Sequence, residues 1–286
     1  MIAPAETARI REFEFSDEDF RSLRELVREV SGITLSEAKR ELVYGRLSRR
    51  LRALGLTSFR DYRALLAGPE GKEEIGEFTN AVTTNLTSFF RENHHFEYLR
   101  DHVLAPLADG ASRRRRVRLW SAGCSTGEEP YSIAMTIAET LPDWQRHDIR
   151  ILATDLDTDV LRRAATGIYT EDRVRGLSQR RRQTYFTPVQ EKGGTAYRFD
   201  PQLAGLISFR QLNLMHPLPM RGPLDAIFCR NVVIYFDKDT QRQLFTRMAP
   251  LQAPDALLFL GHSESLFKVS DAWDLIGKTI YRRTRH

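Results

Sequence analysis

The turn Ser121-Ala122-Gly123-Cys124-Ser125-Thr126-Gly127-Glu128-Glu129-Pro130 sets two glycines and two carboxylates between an apolar run and an amphipathic one. In an open parallel sheet a ligand sits beyond the carboxyl ends of the strands, so chemistry is sought first in a turn of this kind. Gly123 and Gly127 let the main chain approach a ligand, and Pro130 suits the first turn of a helix. No Gly-Lys-Ser/Thr follows to neutralise phosphate, and the middle glycine of Gly-x-Gly-x-x-Gly is missing. Nucleoside triphosphates and dinucleotides are therefore disfavoured. A carboxylate such as Glu129 suits a cationic group instead. Asp155, 28 residues past Gly127, ends the next apolar run, where a carboxylate can accept both hydroxyls of a ribose. A turn without phosphate affinity, a carboxylate for an ammonium and a carboxylate for a ribose together describe S-adenosylmethionine. The competing reading is that Glu129 and Asp155 cap their helices.

The elements that must position these residues follow from periodicity. Ser16-Asp17-Glu18-Asp19 reads as a helix start, with Phe20, Leu23, Val27 and Val30 at helical spacing up to Gly32. A second helix is predicted from Ser36, with Val43, Leu47, Leu51 and Leu54 on one stripe and Gly55 as its stop. A third lies around Phe59 to Leu66 and a fourth over 73–82, and the connection between domains is placed in 83–92. Beyond residue 116, apolar runs alternate with helical stretches: strands over 117–121, 149–154, 224–229 and 256–260, and helices over 129–141, 159–165 and 240–249. That alternation predicts an α/β fold with a doubly wound, mostly parallel sheet, behind an N-terminal all-helical domain. A last edge strand is expected over 279–283. The stretch 185–209, around the turn signal Gly193-Gly194, reads as a small inserted antiparallel subdomain. The domain boundaries are thus 1–84 and 85–286.

Composition excludes several classes. With 41% hydrophobic and 28% charged residues, the 286-residue chain is globular and not disordered. Cys124 and Cys229 stand alone, so neither a disulfide framework nor a zinc site is signalled. Adjacent His94 and His95 point different ways on a helix, and no metal is expected. The N-terminus carries no signal-like apolar segment and no run is long enough to cross a membrane, so a cytoplasmic location without membrane insertion is expected. The net charge of +5 decides little. Arg113 to Arg116 reads as a solvated loop and not as a nucleic-acid patch, because no aromatic residues are interleaved for stacking.

Four ordered motifs then carry a resemblance. Asn85-Leu86-Thr87-Ser88-Phe89-Phe90-Arg91, Gly127-Glu128-Glu129-Pro130-Tyr131-Ser132, Ala153-Thr154-Asp155-Leu156-Asp157 and Phe228-Cys229-Arg230-Asn231-Val232-Val233-Ile234-Tyr235-Phe236 resemble the chemotaxis receptor methyltransferases, the CheR family. The likeness runs from about residue 16 to the C-terminus and includes Gly261-His262-Ser263-Glu264. It implies a class I, Rossmann-like methyltransferase domain that uses S-adenosylmethionine, releases S-adenosylhomocysteine and esterifies glutamates of methyl-accepting chemotaxis receptors at membrane receptor arrays. It also implies that Asn85, Thr87, Arg91, Glu129, Asp155, the Asn213-Leu214 pair and the Arg230-Asn231 pair line the cofactor site, and that Tyr235 lies near the transferred methyl.

Physical roles can be set beside that implication. A guanidinium fork suits Arg91 to the cofactor carboxylate, the other reading being a surface ion pair with Glu92 or Glu97. Glu129 takes the ammonium, Asp155 the ribose and Asn213-Leu214 the adenine. Tyr235 steers the nucleophile or is a core residue. From Lys39 to Arg52 six basic residues meet one acidic. Arg46, Arg49 and Arg50 are candidates for docking a glutamate-rich receptor helix, against the reading of a solvated face. The inserted hairpin is either a plain sheet edge or a tether for a receptor's C-terminal peptide. Methylation of another target, such as nucleic acid, and a non-catalytic binding module remain as rival readings.

Overall fold

The computed structural model describes residues 11–108 and 116–285. Of the arginine run, residues 113–115 lie outside the described residues, as do residues 1–10 of the N-terminal stretch. The chain forms two compact units, Met1–Thr83 and Thr84–His286.

The first unit is helical: α1 (Asp17–Ser31), α2 (Arg40–Leu54), α3 (Phe59–Ala67) and α4 (Gly71–Val82). Ser16 and Asp19 form a reciprocal capping box at the start of α1, and Gly32 ends it in a left-handed conformation. Phe20, Leu23, Val27, Val43, Leu47, Leu51, Phe59, Tyr62 and Phe78 are buried together. The second helix starts later than its Ser36 signal. The side chain of Ser36 makes no capping bond, and Glu37–Lys39 form a 3₁₀ turn first. Leu54, at the end of the predicted stripe, is exposed.

Among the described residues the second unit holds ten strands: β1 (Val117–Ser121), β2 (Ile149–Asp155), β3 (Ile168–Thr170), β4 (Phe186–Glu191), β5 (Gly194–Phe199), β6 (Ile207–Gln211), β7 (Leu224–Cys229), β8 (Gln252–Leu260), β9 (Trp273–Gly277) and β10 (Ile280–Arg283). Seven form one sheet in the order β6-β2-β1-β7-β8-β10-β9. The pairs from β6 to β8 are parallel, and β10 runs antiparallel to both of its neighbours. Alternate residues along the central strands enter different cores. Leu119, Ala226, Phe228, Leu257 and Phe259 pack with the helices His94–Leu99 and Glu128–Thr140. Trp120, Ile227, Cys229, Leu258 and Leu260 pack with the helix Lys238–Met248. Period-2 side chains buried on both faces are the physical content of a doubly wound sheet.

Two strand placements differ from the sequence reading. The predicted edge strand β10 is internal, because β9 pairs outside it; β9 has a mostly exposed face and carries no apolar run. The inserted sheet, in the order β3-β5-β4, takes a third strand from Ile168–Thr170, while 207–211 leaves the insertion and joins the main sheet beside β2 as β6. Three residues after Gly167 are too few to show a period, and an edge strand like β6, with Ser208, Arg210 and Gln211 exposed, reads as polar.

Candidate active site

The turn after β1 is pinned on both sides. Ala122 N–H donates to the Phe228 carbonyl at 2.8 Å and Cys124 N–H to that of Thr154 at 2.9 Å, so the turn bridges the ends of β7 and β2. A Cβ on Gly123 would lie 2.3 Å from Val232 Cγ2, so any side chain there would force Val232 to move. Gly127 precedes the helix Glu128–Thr140 at φ +97°, a conformation that L side chains rarely adopt.

The two glutamates of the turn part company. Glu128 is fully buried, accepts from Thr126 Oγ1 and pairs with Arg173. Glu129, 9% exposed, accepts Ser121 Oγ at 2.7 Å on Oε1 and Arg230 Nη1 at 2.9 Å on Oε2. Burial pushes its carboxyl up, opposed by the Arg230 charge and the Ser121 hydroxyl. The sequence reading gives Glu129 to an ammonium or to a helix cap; in the structure it shares its charge with a guanidinium. Arg230, 6% exposed, also donates to the Arg91 carbonyl and lies 3.4 Å from Glu92. Its Nε is buried with no partner among the described residues.

Asp155 ends β2 half-buried. Its Oδ2 accepts Ser125 N–H at 2.8 Å and its Oδ1 accepts Asp157 N–H at 3.0 Å. Burial pushes this carboxyl up too, and the two N–H donors oppose it. Each oxygen retains acceptor capacity for a hydroxyl. The helix that follows, Thr158–Thr166, is capped by Asp157 and not by Asp155, and Gly127 occupies the cap position before Glu129. Neither proposed ligand carboxylate is therefore a helix cap.

Around this corner the structure assembles most of the other candidates. Asn85 Nδ2 donates to Asp157 at 2.8 Å, and its carbonyl accepts Ser125 Oγ at 3.2 Å. Thr87 follows on the same segment, half-buried. Arg91 Nη1 donates to the Leu86 carbonyl at 2.9 Å, and Arg91 is in no ion pair among the described residues. Glu92 and Glu97, its suggested partners, bond elsewhere. Leu212 N–H donates to the Asp155 carbonyl at 2.9 Å, bringing Asn213 and buried Leu214 alongside; Asn213 Oδ1 accepts Met215 N–H and Arg247 holds the Leu214 carbonyl. Asn231, at φ +58°, opens the loop that carries half-buried Tyr235.

Two groups to which the sequence reading assigns no site role also sit here. Glu264, 6% exposed, accepts the N–H groups of Gly261 at 2.6 Å, Asn231 at 2.8 Å and Ile234 at 3.2 Å, tying the loop after β7 to the turn after β8. Glu92 lies between Arg230 and His262, which outweigh its burial and hold its carboxyl at about 2. A carboxylate four residues past the end of an apolar strand is the available signal for Glu264.

The three docking arginines separate. Arg46 bonds the carbonyls of Ala81 and Thr83, and Arg50 forms a fork with Glu74 and reaches Glu77. They lie four residues apart on the face of α2 that meets α4, half-buried and engaged within the helical unit. Arg49 is exposed, with Nε to the Gly45 carbonyl. His95 is buried against Lys278 and Thr279. Among the described residues no cluster could hold a metal ion, and no helix is long and apolar enough to cross a membrane.

Residues 18–83 match the family described as CheR methyltransferase, all-alpha domain, and residues 85–282 match CheR methyltransferase, SAM binding domain. A probable chemotaxis protein methyltransferase of Rhizobium etli is 45% identical over 255 residues, 89% of this chain and 95% of that protein. The chemotaxis protein methyltransferase of Escherichia coli is 44% identical over 273 residues, covering 93% and 91%. Chemotaxis protein methyltransferase 2 of Pseudomonas aeruginosa is 43% identical over 272 residues, covering 95% of each.

Proposed function

Given that the chain belongs to the CheR family of S-adenosylmethionine-dependent chemotaxis methyltransferases, we propose that it esterifies glutamate side chains of methyl-accepting chemotaxis receptors, on the cytoplasmic side of receptor arrays. The observation that carries the proposal is the pair of carboxylates that cap no helix, Glu129 within and Asp155 beside a turn that holds no phosphate-neutralising lysine. These groups fit an amino-acid nucleoside and do not fit a nucleotide.

When bound, S-adenosylmethionine supplies an electrophilic methyl on its sulfonium and leaves as S-adenosylhomocysteine. Asp155, fixed by two N–H donors, accepts the ribose hydroxyls. Glu129 accepts the ammonium with the lone pairs that Ser121 and Arg230 leave it. Arg91, which is in no ion pair among the described residues, presents its fork to the carboxylate. Asn213 and Leu214 border the adenine, while Asn85, Thr87, Gly123 and Asn231 close the walls.

A glutamate with a reference pKa of about 4.3 is already anionic at neutral pH. Such an oxygen would need to lose no proton before taking the methyl, and the chemistry the bound cofactor would supply is that transfer, with the C–S bonding pair remaining on sulfur. No general base is needed. The residues contribute alignment of oxygen, carbon and sulfur and exclusion of water from a step in which opposite charges cancel. Tyr235, half-buried on the loop after β7, would steer the incoming carboxylate, and Arg91 would hold the cofactor in place for it. Arg49 offers the helical unit's exposed charge to an acidic receptor helix, and the free edge of β4 offers a site for an extended receptor peptide.

The test is incubation with methyl-labelled cofactor and either a purified receptor cytoplasmic fragment or RNA. The proposal expects label on the fragment, mapped by mass spectrometry to glutamate side chains and released by alkali. Alkali-stable label on nucleic acid would refute it.

A further inference from the structure

Two side chains from the segment that builds the small sheet lie against the turn Ser125–Glu128. Tyr169 Oη donates to the Thr126 carbonyl at 2.7 Å. Arg173 Nη2 donates to Thr126 Oγ1 at 3.0 Å and pairs with the buried Glu128 carboxylate. A Cβ on Gly127 would come within 2.8 Å of Tyr169 Oη, so phenol and turn are already in close contact. The Tyr169 ring also meets Phe89 edge-on at 5.0 Å. Phe89 belongs to the segment that carries Asn85, Thr87 and Arg91. One aromatic side chain thus touches both walls of the candidate site, and one arginine keeps the first-turn charge of the Glu128–Thr140 helix from standing unpaired in the interior.

None of these bonds belongs to a sheet ladder, and all converge on three residues whose conformation includes a left-handed glycine. An unpaired buried carboxylate is costly, so Glu128 without Arg173 must move toward water and take the turn with it. We infer that Tyr169 and Arg173 are positioning residues for the cofactor, and that the small antiparallel sheet braces the turn that binds it. This rests on the reading that S-adenosylmethionine binds at that turn.

The test is calorimetric titration of the full chain with S-adenosylmethionine, with thermal unfolding of each ligand-free variant alongside. Tyr169→Phe keeps the ring and removes one donor; its Kd should rise about fivefold, the worth of one hydrogen bond. Arg173→Ala should raise Kd by about thirtyfold or more, and Arg173→Lys should recover part of that loss. In turnover, KM for the cofactor should rise in step with Kd, while kcat at saturating cofactor and KM for receptor stay within about twofold. A general loss of fold would not produce that split. Should Arg173→Ala fail to fold, Tyr169→Phe decides alone. Wild-type affinity in both brace variants, with weakened binding in Asp155→Ala, overturns the brace only. Wild-type affinity in Asp155→Ala as well overturns the site and the brace together.

Discussion

Asp155 and Asp157 stand two residues apart with the same functional group, yet only one caps a helix. Nothing in the residue types distinguishes them. The difference is positional: Asp157 faces the first free N–H groups of the helix, and Asp155 closes the strand and faces the turn from β1. Asp155→Ala is expected to weaken S-adenosylmethionine binding at least tenfold, from the loss of charge-assisted bonds to two hydroxyls, while the helix cap stays intact; equilibrium dialysis and circular dichroism check the two halves. His95 gives a second residue-scale prediction. Burial, then the nearby Arg230 charge, lower its pKa from 6.5 to about 3. Glu92 at 3.7 Å and the neighbouring His94 face the same ring. The folded state therefore excludes a proton that the unfolded state binds below pH 6.5, so stability is lost as pH falls from about 6.5 toward 3. Between pH 7 and pH 5 wild type should lose about 2 kcal/mol more than His95→Phe, read from denaturant unfolding at each pH.

At the scale of elements, the helices of the first unit are legible because apolar spacing of 3.6 and the Ser16 and Gly32 caps agree. The role of α2's charge is not legible, since composition does not say which side of a helix meets a neighbour. Arg50 and Tyr62 both bond Glu74, which is buried. Glu74→Ala should cost the helical unit about 2–3 kcal/mol, less than a fully buried pair because Arg50 can turn toward solvent. Arg49→Glu should leave the melting temperature unchanged and reduce receptor methylation, with the difference shrinking as salt is raised; unchanged methylation at low salt would remove Arg49 from docking. In the second unit, Glu264 holds three N–H groups of two turns without an ion pair among the described residues. A Cβ on Gly261 would lie 2.3 Å from Asn231 Nδ2, so the two turns are closely fitted. Glu264→Ala should destabilise by about 3 kcal/mol, measured by denaturant titration, because three buried donors lose their acceptor at once.

For the molecule as a whole, the parallel half of the sheet was readable because strands buried on both faces are continuous apolar runs. Its edges were not: β3, β6 and β9 are short or half-exposed, and their pairing is decided by contacts far away in sequence. The same limit applies to the site. The turn and Asp155 stand out locally, while the joining of Arg230, Glu129 and Glu92 spans more than 130 residues of chain and emerges only on folding. The central claim is that the cofactor lies over the carboxyl ends of β1 and β2, and a hydrogen-exchange footprint tests it most directly. Adding S-adenosylmethionine should slow amide exchange in residues 122–129, 155–157 and 212–214. It should leave the opposite end of the sheet unchanged, where a cavity of about 400 Å³ is lined by Tyr98, Asp225 and Arg282 among others. Protection confined to that cavity, or no protection anywhere at saturating cofactor, would contradict the account.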